Sequence, residues 1–144
     1  MKNKTVYSLG HSSVPIGLFI LKLSQNNIDT VIDVRTNPMS RFCPQFNRNA
    51  LESALFTKNI LYLYRGKNLG GKGVNVDYEK TIDEISEMVK RGISVCVLCA
   101  EKDPKNCHRH TLLQPSFKKR GIETSHILYD EPKKSPKQKS IFLK

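Results

Sequence analysis

At 144 residues, 38% of them apolar, the chain is long enough for one domain with a core of its own. Its formal charge of +11, from 24 Lys and Arg against 13 Asp and Glu, favours anionic partners such as nucleic acid, nucleotides or phosphorylated metabolites. No segment approaches the roughly 20 apolar residues that span a bilayer, and the polar start offers no secretory signal, so the chain reads as cytoplasmic, with no membrane partner and its cysteines reduced.

In chain order, Thr5-Val-Tyr-Ser-Leu9 reads as a first strand that ends in Gly10-His11-Ser12-Ser13. Ser12 or Ser13 is placed to cap the helix that follows, with Pro15 in its first turn. Ile16, Phe19, Ile20 and Leu23 recur at helical spacing, and Asn26-Asn27 ends the element. Ile28 to Val34 is a second strand, closed by Asp33-Val-Arg35. Pro38 and Pro44 make Thr36 to Asn47 a loop. Leu51, Ala54 and Leu55 mark a second helix, and Ile60 to Tyr64 a third strand followed by a glycine-rich connection.

Asp77 is placed to cap a third helix that turns Tyr78, Ile82, Ile85 and Val89 inward, with Gly92 as its stop. The apolar run Ile93-Ser-Val-Cys-Val-Leu98 is a fourth strand. Beyond Cys99 a further helical region extends to Arg120. Pro115 predicts a kink there, or a short turn and a new helix, because a mid-helix proline loses a hydrogen bond and clashes with the preceding turn. Gly121 stops that region, and Ile122 to Tyr129 is a final strand.

Strands alternating with helices define an α/β fold. The expected architecture is a single-domain three-layer sandwich over residues 1–130, with a mainly parallel sheet of about five strands and helices on both faces. Residues 131–144 hold five lysines against one acid and read as a basic, mobile tail.

In such a sheet all carboxyl ends lie along one edge, where open α/β folds bind ligands. Separate strand ends there deliver Gly10-His11-Ser12, then Asp33 and Arg35 with Ser40 and Arg41, then Glu101 and Lys102 with Cys107, His108 and Arg109. Arg35, Arg41 and Arg109 suit a phosphate through their guanidinium forks. A helix start near Cys107 would add backbone donors. The competing role for Arg35 is an ion pair with Asp33 or Glu101 that braces the loops. His11 and His108 are candidate general acid–base groups and equally candidate structural histidines. Asp33 and Glu101 can act as base, metal ligand or brace.

The thiols are poorly placed for chemistry of their own. Cys96 and Cys99 are three apart on a strand and point to opposite faces, so they should not chelate together. A cysteine phosphatase loop puts its arginine six residues after the cysteine, and from Cys99 that position is Lys105. Adjacent Cys107 and His108 are awkward tetrahedral ligands. Gly70-Gly71-Lys72-Gly73 lacks the spacing of a phosphate loop. Tyr62, Tyr64 and Phe46 can stack on a base or belong to the core.

Gly10-His11-Ser12, Asp33-Val-Arg35, Ser40-Arg41 with Pro44-Gln-Phe46, Leu69-Gly-Gly71, and Cys99-Ala-Glu101 with Cys107-His-Arg109 follow one another in that order. Together they resemble the domain of unknown function family 488, small bacterial and archaeal α/β proteins, from about Tyr7 to Tyr129. The resemblance implies the fold and the strand-end site and leaves the reaction to the residues.

The residues point to a phosphate-bearing ligand at the strand ends, and to a hydrolase or transferase if the site is catalytic. In that reading His11, His108, Glu101 and Asp33 are the catalytic candidates. Ser12, Arg35, Ser40, Arg41, Lys102, Cys107 and Arg109 are the ligand-binding candidates. A non-catalytic nucleic-acid module using the same edge and the tail is the alternative, and a metal-dependent enzyme the third. Cofactor and oligomeric state are not encoded in any motif of the chain.

Overall fold

A computed structural model describes residues 4–70, 74–101, 103–104, 107 and 109–129, the last segment without the side chains of residues 109 and 110. Strands β1 (Lys4–Gly10), β2 (Thr30–Asp33), β3 (Leu61–Tyr64), β4 (Val95–Cys99) and β5 (Ile122–His126) form one sheet in the order β3-β2-β4-β1-β5. All four pairings are parallel. Their carboxyl ends therefore share one edge, as the alternation of elements requires.

Helices α1 (Ile16–Gln25) and α2 (Arg48–Phe56) cover one face, and α4 (Tyr78–Lys90) and α5 (Gln114–Lys118) the other. Side-chain alternation along β4 divides the two cores. Val95, Val97 and Cys99 pack with Ile82, Ile85, Val89 and Phe117. Cys96 and Leu98 pack on the opposite side with Phe19, Leu23, Leu51 and Leu55. Cys96 and Cys99 thus face away from each other, as the strand period dictates.

Some local expectations change. Neither Ser12 nor Ser13 caps α1: Pro15 occupies the N-cap in extended conformation, and no side chain bonds the first turn. Ser12 instead takes φ 49° in the left-handed region, where the turn out of β1 is sharpest. Asp77 does stand at the N-cap of α4, with φ of 52°, but its side chain makes no capping bond; its backbone carbonyl accepts from Thr81 N at 3.0 Å and Thr81 Oγ1 at 2.9 Å. Gly92 and Gly121 follow their helices with φ of 94° and 78°, the left-handed stop glycine provides.

The connection after β3 contains a short helix α3 (Gly66–Leu69), which only its contacts explain. An added Cβ on Gly66 would lie 1.9 Å from the Arg35 carbonyl oxygen, and one on Gly70 would lie 2.1 Å from Thr36 Oγ1. These glycines let α3 press against the end of β2. Gly71, Lys72 and Gly73 lie outside the described residues, as does the tail 131–144. At Pro115 the chain forms a new helix: a π-helical turn over Arg109–Leu113 passes into α5, whose first turn holds the proline. β5 ends at His126 rather than Tyr129, and Tyr129 Oη donates to Gly10 O at 2.7 Å. Among the described residues no helix is long and apolar enough to cross a membrane.

Candidate functional site

Backbone pairing continues past the strands and fixes the edge. His11 N and Ser12 N donate to Cys99 O and Ala100 O, each at 2.9 Å, and Val34 N donates to Leu98 O at 2.9 Å. The ends of β1, β4 and β2 are thereby held side by side. On this base sits a buried polar hub around Asp33.

The Asp33 carboxylate is fully buried. It accepts from Arg35 N at 3.1 Å, Arg35 Nε at 2.8 Å, Arg35 Nη2 at 2.7 Å and Tyr62 Oη at 2.5 Å. Arg35 Nη1 donates to Phe46 O at 2.7 Å. The guanidinium, 5% exposed, thus clamps the loop between β2 and α2 onto the strand end. A buried charge pair is tolerated only when its remaining donors and acceptors find partners, and here they do. Of the two roles open to Arg35 from sequence, the brace is the one its contacts occupy. Burial, and then the bond to Asp33, push the Tyr62 phenol far above its ordinary pKa, so it stays a proton donor to that carboxylate.

The hub reaches His11 through Phe46. The His11 imidazole stacks on the Phe46 ring at 4.5 Å between centroids and 17° between planes, and Phe19 meets that ring edge-on at 5.1 Å. His11 Nδ1 lies 2.6 Å from Ser12 O, so it carries the proton and leaves Nε2 as an acceptor. Burial, assisted by the nearby Arg35 charge, lowers its pKa to about 4. At neutral pH this ring accepts a proton or hydrogen bond and has none to give from Nε2.

The loop over β2–α2 docks on the β1–α1 turn through Cys43 Sγ to Ser12 O at 3.4 Å and Gln45 Nε2 to Val14 O at 3.1 Å. Ser40 organises it: its Oγ accepts from Phe42 N and Cys43 N, both at 3.1 Å, and its own N–H donates to Asn47 Oδ1 at 2.6 Å. An open groove of about 490 Å³ is lined by Asn37, Met39, Ser40, Arg41, Pro44 and Asn47. Arg41 is exposed on it. Arg48, a cation the sequence reading did not single out, lies 4.7 Å from the Tyr64 ring centroid and 6.0 Å from that of Tyr62. Its position just after the loop, at the first turn of α2, was the available signal. Among the described residues neither Arg41 nor Arg48 has a carboxylate within 4.0 Å, in contrast to Arg35, Arg65 and Arg120.

On the wall that follows β4, the described residues divide between the surface and the core. Glu101 is exposed, and its Oε1 accepts from Asp103 N at 3.4 Å. Cys107 is buried in the α4–α5 core with Cys99, their sulfurs 2.7 Å apart. Lys102 and His108 lie outside the described residues, as do the side chains of Arg109 and His110. Among the described residues no three His, Cys, Asp or Glu side chains are grouped to hold a metal ion. His126, in β5, joins a polar trio on the α5 side: Nδ1 bonds Ser8 Oγ, and Nε2 meets Gln114 Oε1 at 2.8 Å. Phe46 and Tyr62 are core residues, so the large ring left exposed beside the groove is Phe42.

The fold and this edge define a parallel α/β protein with a braced cluster of polar residues at its strand ends. The chain belongs to the family described as Domain of unknown function DUF488, which matches residues 16–76 and 74–114. The matched segments include Asp33, Arg35, Ser40, Arg41, Glu101, Cys107 and Arg109, while Gly10-His11-Ser12 and β5 fall outside them. Searches of curated proteins and of solved structures returned no match.

Proposed function

We propose that the protein binds a phosphate-bearing ligand, either a nucleotide, a nucleic acid or a phosphorylated metabolite, along the carboxyl edge of its sheet. One observation carries this reading: Arg41, with no carboxylate partner among the described residues, stands on an open groove beside the Asp33–Arg35–Phe46 brace. A guanidinium with no carboxylate partner keeps its fork available for phosphate oxygens. Arg48, at the start of α2 with its guanidinium over the Tyr64 ring, adds a second positive charge to this end of the loop. In this reading Arg35 positions the loop and does not touch the ligand.

His11 supplies the proton acceptor, because its Nε2 is unprotonated at neutral pH. A group so weakly basic suits an accepted hydrogen bond or a transient proton better than permanent charging. Glu101 is an exposed carboxylate on the adjacent wall. If chemistry follows binding, these roles fit a hydrolase or transferase.

Titration calorimetry with inorganic phosphate, a nucleoside triphosphate and a short oligonucleotide tests the reading. At least one should bind, and Arg41→Ala should weaken it about tenfold or more, the loss expected for a charge-assisted hydrogen bond. The variant should keep the wild-type unfolding midpoint, since Arg41 is exposed. Binding unaffected by Arg41→Ala, or no binding of any of the three, defeats the proposal.

A second reading is favoured by Phe42 and Met39, which flank Arg41 and are 88% and 57% exposed. An exposed ring beside a free guanidinium is the pairing used to hold single-stranded nucleic acid without catalysis.

A further inference from the structure

We propose that Cys99 and Cys107 form a reversible disulfide at the edge of the candidate site, driven by a hydroperoxide. Their sulfurs lie 2.7 Å apart, well inside van der Waals contact, and both residues are buried in one core. A disulfide bond needs about 2.05 Å, so closure requires sub-ångström movement. Two thiolates on one tetrahedral zinc would sit roughly 3.8 Å apart, given Zn–S bonds of about 2.3 Å. The arrangement fits a bond between the sulfurs better than a shared ion.

Topology selects this pair among the four cysteines. Cys99 is the last residue of β4, and its side chain points to the α4–α5 face. Cys107 precedes the π-helical turn and meets Cys99 at the strand end; its N–H donates to Pro104 O at 3.1 Å. Cys96 is in the core on the far side of the sheet, and Cys43 is tied to Ser12 O on the β1–α1 turn. Neither can reach the pair without rebuilding the edge.

The chemistry balances with peroxide as the two-electron oxidant. Cys107, 7% exposed against 2% for Cys99, is the sulfur a small oxidant meets first. Its thiolate attacks one peroxide oxygen and breaks the O–O bond, giving a sulfenic acid and, after protonation of the leaving oxygen, water from hydrogen peroxide or an alcohol from an organic hydroperoxide. The Cys99 sulfur then attacks the sulfenic sulfur, and the S–OH oxygen leaves as water. Each thiol gives up one proton, and the pair gives up two electrons. A thiol reductant reverses the bond by exchange.

The bond would close a short ring around Ala100, Glu101 and Asp103, tying the wall of the site to the end of β4. The inference rests on the sulfur geometry and is independent of the proposed ligand. Hydrogen peroxide on folded wild-type protein should remove 2 Da from the intact mass, and dithiothreitol should restore it. Peptide mapping should join Cys99 to Cys107 and leave Cys96 alkylatable after denaturation. Cys43→Ser should lose the same 2 Da, whereas Cys107→Ser should not. Because Cys107→Ser alters the core, the wild-type map decides the matter. A bridge through Cys43 or Cys96, oxygen addition with both thiols still unbridged, or stoichiometric zinc on the pair in reduced protein would overturn it.

Discussion

Replacing Asp33 by Asn preserves the side-chain shape and removes the charge that Arg35 meets at 2.7 and 2.8 Å. The guanidinium then stays buried without a counter-charge, which costs about 3–5 kcal/mol in comparable buried pairs. Urea unfolding should show that loss for Asp33→Asn. Pairing it with Arg35→Met should recover part of it, and equal stability of the single and double variants would contradict a coupled pair. His11 gives a pH signature. Its folded pKa of about 4 lies below the ordinary 6.5, so the unfolded chain takes up a proton that the folded chain refuses. Stability from this group is complete above about 6.5 and falls as pH drops toward 4, by at most about 3 kcal/mol. Unfolding at pH about 7 and about 4.5 should show a smaller loss in His11→Phe than in wild type. Identical losses would refute the assignment.

At the scale of elements, close approach decides more than propensity. An alanine at Gly66 would place its Cβ 1.9 Å from Arg35 O, a backbone atom that cannot swing away. Gly66→Ala should therefore destabilise by about 1–3 kcal/mol, through displacement of α3 or of the braced β2 end. Gly17, exposed within α1, has nothing within 4 Å of an added Cβ, and Gly17→Ala should stabilise by about 0.5–1 kcal/mol. Urea midpoints that moved in the same direction would show that contact is not the cause. The helices themselves differ in how readable they were. Ile82, Ile85 and Val89 announced α4 because a stripe at helical spacing needs only the local sequence. The four residues of α3 form no stripe, and their reason lies in Arg35 and Tyr64. On the surface, Arg120 ties α5 to α4 through Glu79 and Asp83, each at 2.6 Å, a pairing invisible along the chain.

For the whole molecule, the charge of +11 separates the two functional readings. A nucleic-acid module that uses the five lysines of residues 131–144 should lose affinity steeply with salt. Deleting that segment should reduce the logarithmic salt slope by about 4. A compact phosphate ligand held at Arg41 should keep its affinity after the same deletion. Filter binding of an oligonucleotide across salt concentrations distinguishes them, and an unchanged slope removes the tail from the mechanism.

The order of strands and helices, the shared carboxyl edge and the break at Pro115 were already determined by the chain itself. Apolar periodicity, glycine stops and proline geometry are local properties. The sequence also marked His11, Asp33 and Arg35 as neighbours on that edge, because a parallel sheet brings strand ends together whatever the contacts. Only the tertiary structure decided what each does there. Asp33 and Arg35 bind each other and the Phe46 carbonyl, so their charges serve the loop. Burial against Phe46 keeps His11 neutral, and packing over β4 turns Cys107 inward to Cys99. Burial depends on residues far apart in the chain, and even near partners such as Asp33–Arg35 and Cys99–Cys107 are selected by the packing around them, which no local pattern carries.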